Sequence, residues 1–90
     1  MIVLITYDLK QPGRNYTPLY ETIKSLGEWQ HPLESTWFVQ IDEETDLNEV
    51  VELLKKSADK GDLFFAVKIT SKYQGWLPKS FWTCLDPKKK

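Results

Sequence analysis

The chain opens on Met1-Ile2-Val3-Leu4-Ile5-Thr6-Tyr7-Asp8, seven uncharged side chains closed by a carboxylate. Ile2, Val3, Ile5 and Thr6 are β-branched and Tyr7 is aromatic, a composition that fits a pleated strand and disfavours a helix. Both alternating sets are largely apolar, with Val3, Ile5 and Tyr7 on one face and Ile2 and Leu4 on the other. Such a run reads as a strand buried in the middle of a sheet, so the rest of the chain has to be organised around it. Asp8 shares a face with Ile2, Leu4 and Thr6, because side chains alternate with period two. A carboxylate at the end of a central strand, beside a Gly/Pro loop, is a candidate for chemistry; starting a turn is the commoner use of Asp there.

The remaining elements follow from spacing. Leu9 to Tyr16 is a loop marked by Pro12-Gly13, and it carries Lys10 and Arg14 close to Asp8 in sequence. Thr17 is the expected N-cap of a first helix over 17–26, with Pro18 at its first position. Leu19, Ile23 and Leu26 form its buried stripe, and Gly27 is the expected left-handed stop. Glu28 to Ile41 holds two strands joined near Glu34-Ser35, the first an edge because Pro32 cannot donate to a ladder. In the second, Trp37, Val39 and Ile41 take one face and Phe38 the other. Asp46-Leu47-Asn48-Glu49 resembles a capping box and opens a second helix over 46–58. Its stripe is Leu47, Val50, Val51, Leu54 and Ala58, and Gly61 lies just past its end. Leu63 to Ile69 is a fourth strand, apolar on nearly both faces. Pro78 to Leu85 is a short helix, ended by Asp86 because Pro87 disfavours helical geometry before it.

Strand, helix, strand, strand, helix, strand is the order of an α+β, ferredoxin-like βαββαβ sandwich. The expected sheet is antiparallel, ordered 4-1-3-2, with both helices on one face. Ninety residues make one domain, 1–90, with a C-terminal extension over about 70–90. The face away from the helices is expected to carry Ile2, Leu4, Phe38, Phe64 and Ala66, more apolar surface than a small monomer leaves wet. The extension, a second copy of the chain, or both should cover it.

Composition narrows the function classes. The single Cys84 excludes an internal disulfide and a Cys-rich zinc site, and suits a reducing, cytoplasmic setting. No run is long enough to span a bilayer and no signal peptide is visible, so no membrane partner is expected. Net charge is −1, with acids concentrated between Asp42 and Asp62 and lysines from Lys68 onward. That permits local nucleic-acid contact without demanding it.

At this point the motifs resemble a known family. Ile2-Val3-Leu4-Ile5-Thr6-Tyr7-Asp8-Leu9 resembles the opening strand of the small CRISPR-associated Cas-two proteins, and Glu34-Ser35-Thr36-Trp37-Phe38-Val39 resembles their second hairpin. VapD-like toxins share the fold and are a second comparison. The resemblance runs over roughly residues 1–69 and implies a symmetric homodimer with a ferredoxin-like fold. It also implies that Asp8 holds Mg²⁺ or Mn²⁺ between subunits and serves as the catalytic residue of an endonuclease on RNA or DNA. Some family members bridge DNA without cleaving it, which leaves a non-catalytic nucleic-acid- or protein-binding module, or a VapD-like regulator, as the alternative. Ser35 matches the hairpin serine of the family. The loop 10–16 and the tail 72–85 depart from the family pattern and suggest a divergent branch.

Chemistry supports part of this. One Asp is a poor Mg²⁺ site, whereas a twofold axis would pair it with its mate. Lys10 and Arg14 are the candidate phosphate-binding residues near Asp8, with solvated loop charge as the competing reading, and Ser35 of the hairpin is a further candidate for nucleic-acid contact. His31 reads as a structural histidine rather than a general base, and Ser35 lacks a nucleophile context. Trp76 and Trp82 either stack on bases or, more in keeping with their setting, pack on the open sheet face. Cys84 reads as core.

Overall fold

A computed structural model describes residues 1–11, 13–79 and 81–82. Among these, four strands and two helices form an α+β unit: β1 (Ile2–Asp8), α1 (Thr17–Ser25), β2 (Glu28–Leu33), β3 (Thr36–Gln40), α2 (Leu47–Lys56) and β4 (Leu63–Lys68). The strands make one antiparallel sheet in the order β2-β3-β1-β4. The arrangement is compatible with a ferredoxin-like fold.

β1 is central because it is apolar on both sides. Its Val3 and Ile5 are fully buried against Leu19 and Ile23 of α1 and Val50 and Leu54 of α2, so both helices cover that face. Burying each such side chain contributes about 1.5–3 kcal/mol, which makes this layer the main source of stability. Opposite Ile5 stands Trp37 of β3, and opposite Val3 stands Val39. The helices also touch through the hydroxyls of Thr22 and Ser57, 2.6 Å apart.

Several local expectations are corrected. The N-cap of α1 is Tyr16, not Thr17; Asn15 Oδ1 accepts from the Thr17 N–H at 3.0 Å instead. Gly27 does not stop α1 in left-handed geometry, since Gly13 alone has a positive φ among the described glycines. The C-caps, Leu26 after α1 and Ser57 after α2, both have right-handed geometry. Asp46 does cap α2, accepting from the Asn48 N–H at 2.9 Å.

The open face also differs in composition from the expected one. β4 pairs with β1 so that Ala66 faces Ile5 and Phe64 faces Tyr7, which puts both on the helix side. Leu63, Phe65 and Val67 take the open side, opposite Asp8, Thr6 and Leu4. The reason is that L-F-F-A-V is apolar in both alternating sets, so its pattern leaves the face undecided, and a one-residue slip exchanges the faces. Small Ala66 is the residue that fits beneath the helices.

The tail covers one end of this face. Phe81 is buried and packs edge-on against Phe38, ring centroids 4.4 Å apart. Trp82 is half-buried beside it, while Trp76 is 98% exposed and does not pack on the sheet among the described residues, contrary to expectation. Lys79, Phe81 and Trp82 are helical and Pro78 is not; Ser80 and the remainder of the expected helix to Leu85, Cys84 with it, lie outside the described residues.

Candidate functional site

The sheet presents two ends on its open side. At one, Leu4 and Phe38 lie under the tail. At the other, Thr6 and Asp8 of β1 stand beside Phe65 and Leu63 of β4, and nothing among the described residues covers them. Leu63 and Phe65 are 60% and 62% exposed. Asp8 lines an open hollow of about 260 Å³ with Thr6, Leu63 and Phe65.

Asp8 is the last residue of β1 and pairs there with Leu63 of β4, so the sheet holds its backbone from that side. Its carboxylate takes the Lys10 ammonium at 2.5 Å, with both side chains largely in water. An exposed pair of this kind contributes at most about 1 kcal/mol, so another cation or a phosphate can displace it at little cost. On the far side of β1, the β2–β3 turn is tied to the same strand end. The Ser35 carbonyl accepts from the Tyr7 N–H and the Thr6 hydroxyl, both at 3.2 Å, and the Thr36 hydroxyl donates to Thr6 Oγ1 at 3.1 Å. Ser35 therefore reaches the Asp8 end of β1, with its carbonyl already engaged.

Arg14 is drawn elsewhere. Its Nε binds Asp59 Oδ2 at 3.0 Å, in the turn before β4, so it pairs there rather than with Asp8. Next to it lies the best-built polar cluster of the structure. Asp62 is buried, and its carboxylate accepts from the backbone N–H of Lys10 and of Asp59, both at 2.8 Å, and from the Tyr16 hydroxyl at 3.0 Å. The Tyr16 oxygen in turn accepts from the Gln11 N–H at 3.3 Å. Burial pushes the Asp62 carboxyl up, but the two N–H donors, the Tyr16 hydroxyl and the Arg14 charge outweigh it and hold it below the ordinary carboxylate value. Burial raises the Tyr16 phenol, and the neighbouring Asp62 and Asp59 charges raise it further against the opposing Gln11 bond. This clamp ties the loop after β1 to the turn before β4, and so places the Lys10 backbone beside Asp8.

The sequence pointed to Asp8, Lys10, Arg14 and Ser35. The structure brings Asp8, Lys10 and the Ser35 turn to one end of β1 and sends Arg14 to Asp59. Sequence reasoning missed Asp62 and Tyr16. The available signal was an acid lodged between Gly61 and an apolar strand, with an aromatic at the end of the facing loop. His31 stacks on Trp37 with ring centroids 3.8 Å apart, and its Nε2 lies 3.0 Å from the Glu34 carbonyl. That is the structural role expected of it.

A divalent ion needs more than one chain offers. Among the described residues no three His, Cys, Asp or Glu side chains come together, and Asp8 stands as a lone carboxylate with an ammonium on it. A hard cation such as Mg²⁺ takes one or two carboxylates and keeps several waters, so the donor set fits only if a second Asp8 is brought close. No helix among the described residues is long and apolar enough to cross a membrane. In comparison with known proteins, no family model and no curated protein matches the chain.

Proposed function

We propose that the chain works as a homodimer of the Cas-two type, joined through the uncovered end of its open sheet face, with the two Asp8 carboxylates facing each other across the twofold axis. The same reading takes the fold as a ferredoxin-like sandwich with a short C-terminal helix. The observation that carries it is the position of Asp8 on that face, at the rim of the exposed Leu63–Phe65 patch. The tail already covers the other end, so a partner has apolar surface to bury chiefly next to Asp8. Like charges brought that close need a cation or a shared proton, which favours uptake of Mg²⁺ or Mn²⁺. A divalent ion there supplies Lewis-acid polarisation of an RNA or DNA phosphodiester. The chain's own residues would hold the ion through Asp8 and, through Lys10 once released from Asp8, bind the phosphate.

A second reading, a non-catalytic dimer that binds nucleic acid or protein, is favoured on its protein-binding side by one specific observation. Lys10 is paired to Asp8 and Arg14 to Asp59, so the loop holds few uncommitted cations for phosphate.

The test is cleavage of single-stranded RNA and duplex DNA with and without Mn²⁺, alongside Mn²⁺ binding followed by electron paramagnetic resonance. Asp8→Asn should abolish both cleavage and Mn²⁺ uptake. Its thermal midpoint should stay close to the parent's, because an exposed substitution moves stability by no more than about 0.5 kcal/mol. Undiminished cleavage by Asp8→Asn would remove the catalytic role. A parent that neither cleaves nor binds Mn²⁺, yet binds nucleic acid or protein as a dimer, would establish the second reading.

Self-association has its own test. Phe65→Glu places a charge in the exposed patch without touching the helix-side core. Light scattering should find the parent at twice the monomer mass and Phe65→Glu at the monomer mass, with unchanged circular dichroism. A parent that stays monomeric at high micromolar concentration would sink the dimer.

A further inference from the structure

The covered end of the open face is not filled. Between the tail and the sheet lies a cavity of about 370 Å³, within the range of about 300–1,000 Å³ typical of small-molecule sites. Its floor is Leu4, Phe38 and Val67 from three adjacent strands, and Leu77 and Trp82 of the tail close over it. Lys72 stands in its wall; Lys68 borders it through its backbone, since its side chain lies on the helix side with Val3, and no Asp or Glu among the described residues lines the cavity. Lys68 is bound to Glu43 at 3.2 Å, whereas Lys72 has no ion-pair partner among the described residues. The cavity thus joins the Trp82 indole, which favours a flat ring, to one ammonium, that of Lys72.

We infer that this cavity binds a small planar aromatic anion, its ring against Trp82 over the Leu4–Val67 floor and its acidic group at Lys72. Ring–ring contact and burial supply the affinity. The ammonium supplies the selection for an anion, since a charge-assisted contact is stronger than a neutral one. The site is at the opposite end of the face from Asp8 and does not depend on the function proposed for Asp8.

The probe is naphthalene-2-carboxylate, titrated into the full chain and followed by the methyl resonances of Leu4, Val67 and Leu77. Saturable shifts confined to these methyls are expected, with affinity about tenfold weaker for the neutral naphthalene-2-carboxamide and for the Lys72→Ala variant. Val67→Phe, which fills the cavity from an exposed edge position, should abolish the shifts while circular dichroism stays unchanged. Adenosine 5′-monophosphate run in parallel distinguishes the source: tighter binding than the naphthoate assigns a nucleotide, weaker binding an aromatic acid. The inference is overturned if no saturable shift occurs below millimolar probe, if the carboxamide binds as well as the carboxylate, or if folded Val67→Phe binds undiminished.

Discussion

Gly27→Ala is expected to lower the stability of this chain by about 3 kcal/mol or more, at or above the top of the usual range for overpacking. A Cβ built on Gly27 would stand 1.9 Å from the carbonyl oxygen of Gln40 and 3.0 Å from its carbon. Both are backbone atoms, so no side chain can rotate away. Glu28 pairs with Gln40 at the start of the β2–β3 ladder. Relief therefore requires β2 to swing off β3, which breaks the ladder where it begins and loosens the Trp29–Trp37 contact beyond it, now 5.2 Å between ring centroids. For a domain whose total stability lies near 5–15 kcal/mol, roughly 0.05–0.15 per residue, that loss leaves a marginal fold. Urea denaturation checks it; an unchanged midpoint for Gly27→Ala would show that the close approach is dispensable.

The second large effect concerns Asp62. Asp62→Ala leaves the Lys10 N–H, the Asp59 N–H and the Tyr16 hydroxyl without their acceptor, at an expected cost of about 3 kcal/mol. Asp62→Asn keeps one acceptor oxygen but turns an amide donor toward another donor, and should cost less than the alanine. The pH dependence has a definite sign. The folded carboxyl titrates below its unfolded value, so the stability it contributes is present above about pH 4 and is lost as pH falls through the lower, folded value. The Tyr16 phenol titrates above its unfolded value, so its contribution is full below about pH 10 and is lost as pH rises further. Glu43, drawn down by its hydrogen bond to Lys68 and by the N-terminal ammonium, adds to the acid limb. The difference between parent and Asp62→Asn, measured by urea denaturation from pH 2.5 to 7 (an interval spanning the ordinary carboxylate range), isolates Asp62. Parallel curves for the two proteins would show that the clamp carries no pH-linked stability.

The elements of this fold were legible where the sequence offered one answer. β1 announced itself through β-branched residues on both faces, and α2 through a stripe from Leu47 to Leu54 with an acid at its cap. Where two answers were equally apolar, the pattern failed. Leu63 to Val67 reads the same from either face, and only the position of Ala66 against Ile5 resolves it. Gly27 misled for a related reason. A glycine after a helical stripe suggests a left-handed stop, whereas here the constraint comes from Gln40, distant in sequence. Of the site, Asp8 was legible because it ends a strand. Arg14's attachment to Asp59 and the Asp62–Tyr16 bond span 45 and 46 residues, and no local spacing records them.

The two margins of the sheet are unequal. β2 carries Pro32 and a break in register between Gln30 and Leu33, so its outer rim cannot template another strand. β4 has neither device. In the language of polymer chemistry, such a molecule is monofunctional. A unit with two reactive rims propagates into a fibre, whereas one with a single reactive rim terminates after the first coupling. Pro32, two strands away from Asp8, thereby limits any edge-to-edge growth to a pair.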